Sequence, residues 1–577
     1  MINKIRKYYF YLKACHKGEI FKRIEYKLKD KVGYFEHRTK RTEKEQNIKL
    51  YDIKINNEIK QMKNTNDSYT IFQDTFLYQE IEKRLYSTNI FWRKEKLNQY
   101  NDIKNIWEYN RLQFLLPIAI QYLQTNDIKY KERIVEILKY WENNNKFEYS
   151  INWNNNLEVA IRGINIALTL LLINDKNIQQ QFSKLIYLHA LHIFQEINYS
   201  DCCIPNNHVI GEATALLFLS NIIDTKKNKK WKNKAIYILK KHINIIDEYG
   251  FSKENSFSYQ FFVTKMFLFN LCFIKEEKFY KELFDKILKS IYNLNYIIIN
   301  NNKLFNYGDN DGAYLYSLQN EYNIEQDIKQ YYNFLFQEKN TQEIEIYKEL
   351  LRTFNPNMKI IKGKEKEKKY ILTDKIFVYK WSNNLLFFNV KPIEGHAHND
   401  SLAINLILNG QEILIDSGTY SYNSSKEKRI YYRGREAHNT IQIYKDKNVQ
   451  QIGSFRWINK NNTKLELLED NEEVIKIKGT ICEICERTIS IHKNKNIIDI
   501  QDINFKEKTI KQHWITANGK IINNNLLKIN IAKFEFDYDV TIEEQTVNIS
   551  KKYLQEEPAK LYSVINKSNT ITLKIVW

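Results

Sequence analysis

The sequence predicts an α+β multidomain chain, helical in its first part and an antiparallel β-sandwich in its second. Three observations carry this. Only five of the fifteen glycines (Gly18, Gly33, Gly163, Gly211 and Gly250) precede residue 300. Before that point apolar residues recur at helical spacing, and after residue 370 they alternate in short runs. Between the two lies "KIIKGKEKEKKY" (residues 359–370), a charged stretch that reads as a linker.

Taken in order, residues 1–60 read as a basic helical arm. Ile20, Phe21, Ile24 and Leu28 fall on one face, which suits either packing against the body or lying on a membrane surface; packing is the expectation. Lys13 interrupts the apolar part of the N-terminus, so no export signal is visible. Residues 61–355 hold about ten helical segments. In "LEVAIRGINIALTLLLI", Leu157, Ile161, Ile164, Leu168, Leu171 and Leu172 make the apolar face, with Glu158 and Arg162 on another. Its longest apolar run, residues 164–173, is short of the ~18 residues of a membrane span and reads as a buried helix. "IKNIWEYNRLQFLLPIAIQYL" and "FSYQFFVTKMFLFNLCFI" read as helical too. Residues 356–370 are the linker. In residues 371–577, "KIFVYKW", "NLLFFNV", "LAINLIL", "EILID", "TIQIY", "VIKIKGTICEI", "TISIH" and "NIIDIQDI" read as strands.

With 577 residues, 43% apolar, the chain can bury more than one core. A balance of 88 basic against 69 acidic residues favours anionic partners, although the lysines are scattered among glutamates rather than gathered in blocks. Six cysteines show no disulfide framework. Cys482 and Cys485 lack the second pair of a zinc knuckle and read as structural.

The densest chemistry lies in "EGHAHNDSLAINLILNGQEILIDSGTYSY" (residues 394–422). Asn409-Gly410 between alternating runs predicts a type I′ hairpin. His396 and His398 project to one side of an extended chain. His398, Asp416 and His438 form a zinc-type ligand set with room for a fourth ligand. A straight ladder would hold His398 too far from Asp416, so either "GHAHND" curls back or Asp400 is the ligand.

These residues, with "RIYYRGREAHNT", resemble the C-terminal signature of heparinase II/III-like polysaccharide lyases. "IWEYNR", "NWNNNLEVAIRGIN", "PNNHVIGEATAL" and "ENSFSYQ" follow the order seen in that family and in the related alginate lyases. The resemblance covers most of residues 100–445; the ends carry no recognisable motif. It implies an (α/α) toroid followed by the sandwich, and β-elimination of uronic-acid polysaccharides between them. It implies that Asn207 and His208 handle the uronate carboxylate, that Tyr259 and His396 are catalytic, and that His398, Asp416 and His438 hold one divalent metal, zinc being expected in a structural role. Gln260 stands where relatives often have His.

β-Elimination needs a base for the C5 proton, an acid for the leaving O4, and neutralisation of the carboxylate that opposes the developing charge. Asn207 and His208 open an apparent helix, whose N-terminus favours an anion, and Glu212 lies one turn on, where it would orient His208. Tyr259 as base needs cations nearby, with Lys253, Arg433 or His396 as candidates. Asn110, Arg111, Asn206 and Arg433 are candidate substrate contacts, Arg suiting a bidentate grip on a carboxylate or sulfate. The expected partner is an anionic polysaccharide and not nucleic acid. With no visible export signal, the expected place is cytoplasmic or envelope-associated, in exopolysaccharide or capsule metabolism. Two other readings remain: a glycan-binding or assembly protein on a lyase scaffold, and a zinc hydrolase that leaves Asn207, His208 and Tyr259 unexplained.

Overall fold

The computed structural model describes residues 15–42, 48–53, 81, 84–299, 303–319, 321–337, 341–357, 363, 368–443, 448–459, 461–536 and 540–577. Most of the expected linker lies outside the described residues. Helices run as far as Gln342–Phe354, and an antiparallel β region begins at Tyr370–Leu372.

Short polar side chains punctuate the helical part. Asp102, Asp127, Asn155, Asn206, Ser256 and Asn323 each accept a main-chain N–H in the first turn of the helix that follows, satisfying donors that a helix start leaves open. Asn126 (φ 56°) and Asn174 (φ 54°) end two helices in the left-handed region. Helix Asn156–Ile173 is long and apolar enough to cross a membrane, yet it lies at the centre of the helical core, 94% buried. Glu158 and Arg162 on this helix do not pair with each other. Glu158 accepts both prongs of Arg111 (2.7 and 2.9 Å), while Arg162 donates to His189 Nε2 and to the carbonyls of Asn110 and Asn152.

Two expectations need correction. The stretch 103–123 is not one helix. Ile103–Asn110 and Leu115–Thr125 are separated by Leu112 at φ 54°, just after Arg111 commits to Glu158. In the N-terminal helix Glu19–Lys31, the face carrying Ile20, Phe21, Ile24 and Leu28 is exposed (38–80%), and Glu19 and Tyr26 face inward instead. The tilted ring contact of Tyr26 with Tyr199 (4.7 Å between centroids) and the ion pair of Glu19 with Arg456 hold that inner face.

Strands Tyr370–Leu372, Ile376–Trp381, Asn384–Asn389, Ala403–Leu408 and Gln411–Leu414 pair in sequence order. Alternation puts Ile376, Val378, Leu385 and Phe387 into the helical core, and Phe377, Leu386, Phe388 and Ile404 into a second core. This sheet is therefore buried on both faces. Its far side meets an eight-stranded antiparallel sheet that begins with Thr463–Asp470 and Val474–Ile481. The sheets approach closely at Gly479, where a Cβ would lie 2.5 Å from Phe388 and 2.8 Å from Leu402. The described residues of "TIQIY" make a single bridge, Ile441 to Gln512, rather than a strand. Cys482 is exposed, whereas Cys203, Cys272 and Cys485 are buried.

Candidate active site

The site lies where loops from one end of the five-stranded sheet meet the helical part. Helix Asn207–Ile222 starts there, and Asn206, not Asn207, is its N-cap: its side chain accepts from His208 N at 3.0 Å. That frees the Asn207 side chain, whose Nδ2 lies 3.3 Å from Glu254 Oε1 and 3.4 Å from His396 Nε2. Glu254 also accepts the Asn207 main-chain N–H at 2.6 Å. Helix Phe257–Leu271 begins beside it and brings in Tyr259, whose ring stacks on His396 (centroids 3.6 Å, 12° between planes). The Tyr259 hydroxyl lies 2.9 Å from that of Tyr422.

"GHAHND" does curl back. Gly395 sits at φ 58°, and the N–H of His396 donates to Glu254 O at 3.0 Å. The hairpin turns through Asn409 (φ 48°) and Gly410 (φ 75°), and a bulge between Leu406 and Ile407 shifts the register approaching Asp416. The curl and the bulge together bring His398, Asp416 and His438 into one buried cluster, with one ligand atom of each within 4.8 Å of the others.

Asp309 organises the whole. It is fully buried and takes Arg429 bidentately (2.5 and 2.7 Å). Its Oδ2 lies 2.9 Å from His396 Nδ1 and its Oδ1 3.1 Å from His398 Nε2. Arg429 and these hydrogen bonds outweigh burial and hold its carboxyl well below the usual range. As a carboxylate it only accepts, so both imidazoles donate to it. That leaves His396 Nε2 facing Asn207 Nδ2, with Glu254 Oε2 3.8 Å away. Likewise Asp416, 2.8 Å from His438 Nδ1, stays ionised and raises His438. His398 Nδ1 and His438 Nε2 are buried with no hydrogen-bond partner. Two unpartnered ring nitrogens beside a carboxylate fit a divalent cation.

Burial, with Asp311, Asp309 and Glu254 near, pushes Tyr259 well above its ordinary value. Of the cations expected around it, His396 stacks on its ring and Arg433 is committed elsewhere. The Arg433 guanidinium is fully buried, bonded to the carbonyls of Gly395, Ala397 and Ser454 and lying over the Trp457 ring. These bonds brace the 395–398 turn. Asn110 is equally committed: it donates to Tyr86 O and Ile106 O, and accepts from Trp141 and Asn152. Arg111 keeps one unpartnered nitrogen, Nη1, beyond its fork on Glu158. Glu212 does not orient His208; its carboxyl bonds Ser200 and Asn156. His208 and Glu212 line a cavity of about 380 Å³ with Trp107, Asn155 and Asn156. Burial pushes His208 down to about 4, so it is neutral near pH 7.

Sequence reasoning missed Asp309, Glu254, Arg429 and Tyr422. The legible signal for Asp309 was "GDNDG". Gly308 at φ 64° lets its backbone pass where a Cβ would lie 2.1 Å from Asn255 O, and the Asp309 N–H then reaches His396 O at 2.9 Å.

The sequence matches the model for the heparinase II/III N-terminus over residues 13–310 and that for heparinase II/III-like, C-terminal over residues 380–547. The chain belongs to the heparinase II/III family. It is thus a polysaccharide lyase by family, and the match extends beyond the motifs at both ends. A heparinase III gene product is similar in structure at 17% identity (TM-score 0.58, 96% of this chain and 90% of that one). So is a mutant of the heparan sulfate lyase HepC from Pedobacter heparinus, at 15% (0.56, 90% and 86%). A crystal structure of heparinase III gives 17% (0.58, 90% and 88%). No curated protein matches the sequence.

Proposed function

We propose that this lyase cleaves an anionic, uronic-acid-containing glycan by β-elimination, with a role in exopolysaccharide or capsule metabolism. The carrying observation is the meeting of Asn207, Tyr259 and His396 from three separate segments, with His396 held through Nδ1 by Asp309 so that Nε2 faces Asn207.

In this reading the uronate carboxylate binds against Asn207 Nδ2 and His208 at the start of helix Asn207–Ile222, where main-chain N–H dipoles favour an anion. That withdraws charge from C5. His396 Nε2 takes the C5 proton, and Asp309 stabilises the imidazolium through Nδ1. The C5–H electron pair forms the C4–C5 double bond as the C4–O4 bond breaks. Tyr259, held protonated by its surroundings, gives its proton to O4, and Tyr422 stays within hydrogen-bond reach of the phenolate. The raised Tyr259 supports an acid role for it; a double acid–base role belongs to a syn geometry. Arg111 Nη1 remains a candidate substrate contact, whereas Asn206 is used as a cap.

The metal at His398, Asp416 and His438 is proposed to be zinc, and structural. All three ligands are buried, which gives a substrate or attacking water no approach and disfavours the hydrolase reading. Bound there, a cation would tie the hairpin to the segment around His438 and supply positive charge to Asp416.

The test is incubation with a panel of uronic-acid polymers while following ultraviolet absorbance. Elimination generates a conjugated double bond and hydrolysis does not. Cleavage without that chromophore contradicts the proposal.

A further inference from the structure

A second cavity, of about 660 Å³, opens away from these residues, at the seam between the helical part and the five-stranded sheet. Tyr292, Asn295 and Tyr296 line it from one face of helix Glu277–Ile297, at the i, i+3 and i+4 positions of that face. Tyr332 enters from helix Ile324–Phe336, and Lys368, Lys369 and Lys380 from the sheet side. Among the described residues, no acidic side chain lines it.

The lysines are not used alike. Lys369 pairs with Asp470 at 2.6 Å. Lys380 Nζ donates to Ile298 O at 2.9 Å and Tyr296 O at 3.4 Å, neutral acceptors that leave its charge uncompensated. Lys368 Nζ lies 4.9 Å from the Tyr292 ring centroid. Both Lys368 and Lys380 are pulled below the ordinary amine value, by burial first and then by further lysines, Lys289 and Lys329. Tyr292 and Tyr296 lie nearly parallel (21°, 6.4 Å), with Tyr332 inclined to Tyr292 at 6.5 Å. Exposed Lys368 and half-buried Lys380 are like charges beside aromatic faces, which suit a ligand that brings a negative group on an amphipathic ring. A pocket between two layers, with few polar groups converging, is a common binding geometry.

We propose that this cavity is a second glycan-binding site, taking one sulfated or carboxylated sugar residue of an anionic polysaccharide remote from the point of cleavage. The proposal rests on the anionic-glycan reading above and adds a holding site to it. The acidic group sits between Lys368 and Lys380, and the sugar ring lies on Tyr292 and Tyr296. A polymer gripped there stays with the enzyme between cleavages.

The experiment is calorimetric titration of the full chain with a heparin-derived tetrasaccharide. It uses the Tyr259→Phe background to suppress turnover, and compares Lys368→Glu with Lys278→Glu, an exposed lysine elsewhere. Turnover of the same tetrasaccharide and of the long polymer is measured in the Tyr259 enzyme. The expected result is a second equivalent that Lys368→Glu removes or weakens about tenfold or more and Lys278→Glu leaves intact. Tetrasaccharide turnover stays unchanged, and the apparent KM for polymer rises. A single equivalent, a second one indifferent to Lys368→Glu, or no binding at all overturns the proposal. Turnover with an indifferent Lys368→Glu removes the second site alone. Lys368-dependent binding with no elimination on any polymer removes the lyase reading and keeps the site.

Discussion

Two buried polar clusters of this chain look alike in composition and differ in what they leave over. Around Asn110 and Arg162, the helical core holds Asn, Arg, His and Trp side chains. His189 uses both ring nitrogens, accepting from Arg162 and donating to Leu185 O. Asn110 has partners for both ends of its amide. Around Asp309, each histidine is fixed by one nitrogen, and the other faces Asn207 or stands unpartnered. This polar cluster closes on itself at every group but Asn152 Oδ1, because each unmade hydrogen bond costs about 1–3 kcal/mol. A site keeps such groups open for a substrate or cation, and a partly unsatisfied buried network is where function is to be sought.

Asp309→Asn tests the open cluster most severely. It leaves Arg429 buried without its counter-charge, a loss of about 3–5 kcal/mol, and leaves one acceptor oxygen where His396 and His398 each use their own. Denaturant unfolding should show the loss; a variant of wild-type stability and rate would mean that Asp309 organises nothing. Tyr259→Phe keeps the ring stacked on His396 and should fold normally, with turnover lowered about 10²–10⁴-fold.

The metal comes next. Elemental analysis should find about one zinc per chain, and removing it should lower the melting temperature with the fold retained. A metal-free preparation equally stable and active would return the two unpartnered nitrogens to an unexplained state.

From the closed cluster the opposite signature is expected. Asn110→Ala should cost about 1–3 kcal/mol of stability while the folded fraction turns over at the wild-type rate; a selective fall in kcat would make Asn110 part of the site after all.

The smallest effect concerns Glu212. Burial raises its carboxyl from 4.5 to about 8, so the folded chain holds a proton that the unfolded chain releases. Its contribution is complete below pH 4.5 and is lost as pH rises toward 8. Glu212→Gln should flatten that part of the stability–pH curve, and an unchanged curve would show that Glu212 is ionised throughout. Cys482→Ser, at an exposed position, is the control and should change neither quantity.

Much of this was legible in the sequence. Periodicity and glycine distribution separate helices from strands because one face of each element must be buried. The histidine motifs place His396, His398 and His438, and the Asn-Gly turn sets the hairpin. What was not legible needed three dimensions. Arg433 and Arg429 lie one turn apart on helix Lys426–Arg433, and only the fold shows that one braces a turn while the other grips Asp309. Asp309 lies 87 residues from His396, and no local pattern joins them. The exposed face of Glu19–Lys31 defeats the usual rule that apolar stripes face inward, since Tyr26 and Glu19 already hold the inner face.

The most direct measurement is the appearance of the C4–C5 double bond from a uronate polymer by the wild-type chain and by His396→Gln, followed by ultraviolet absorbance. Gln can still donate toward Asp309 but offers no titratable base. The account predicts a chromophore from the wild type and a rate lowered about 10²-fold or more in the folded variant. A variant that forms the double bond at the wild-type rate would contradict it, and another group would have to remove the C5 proton.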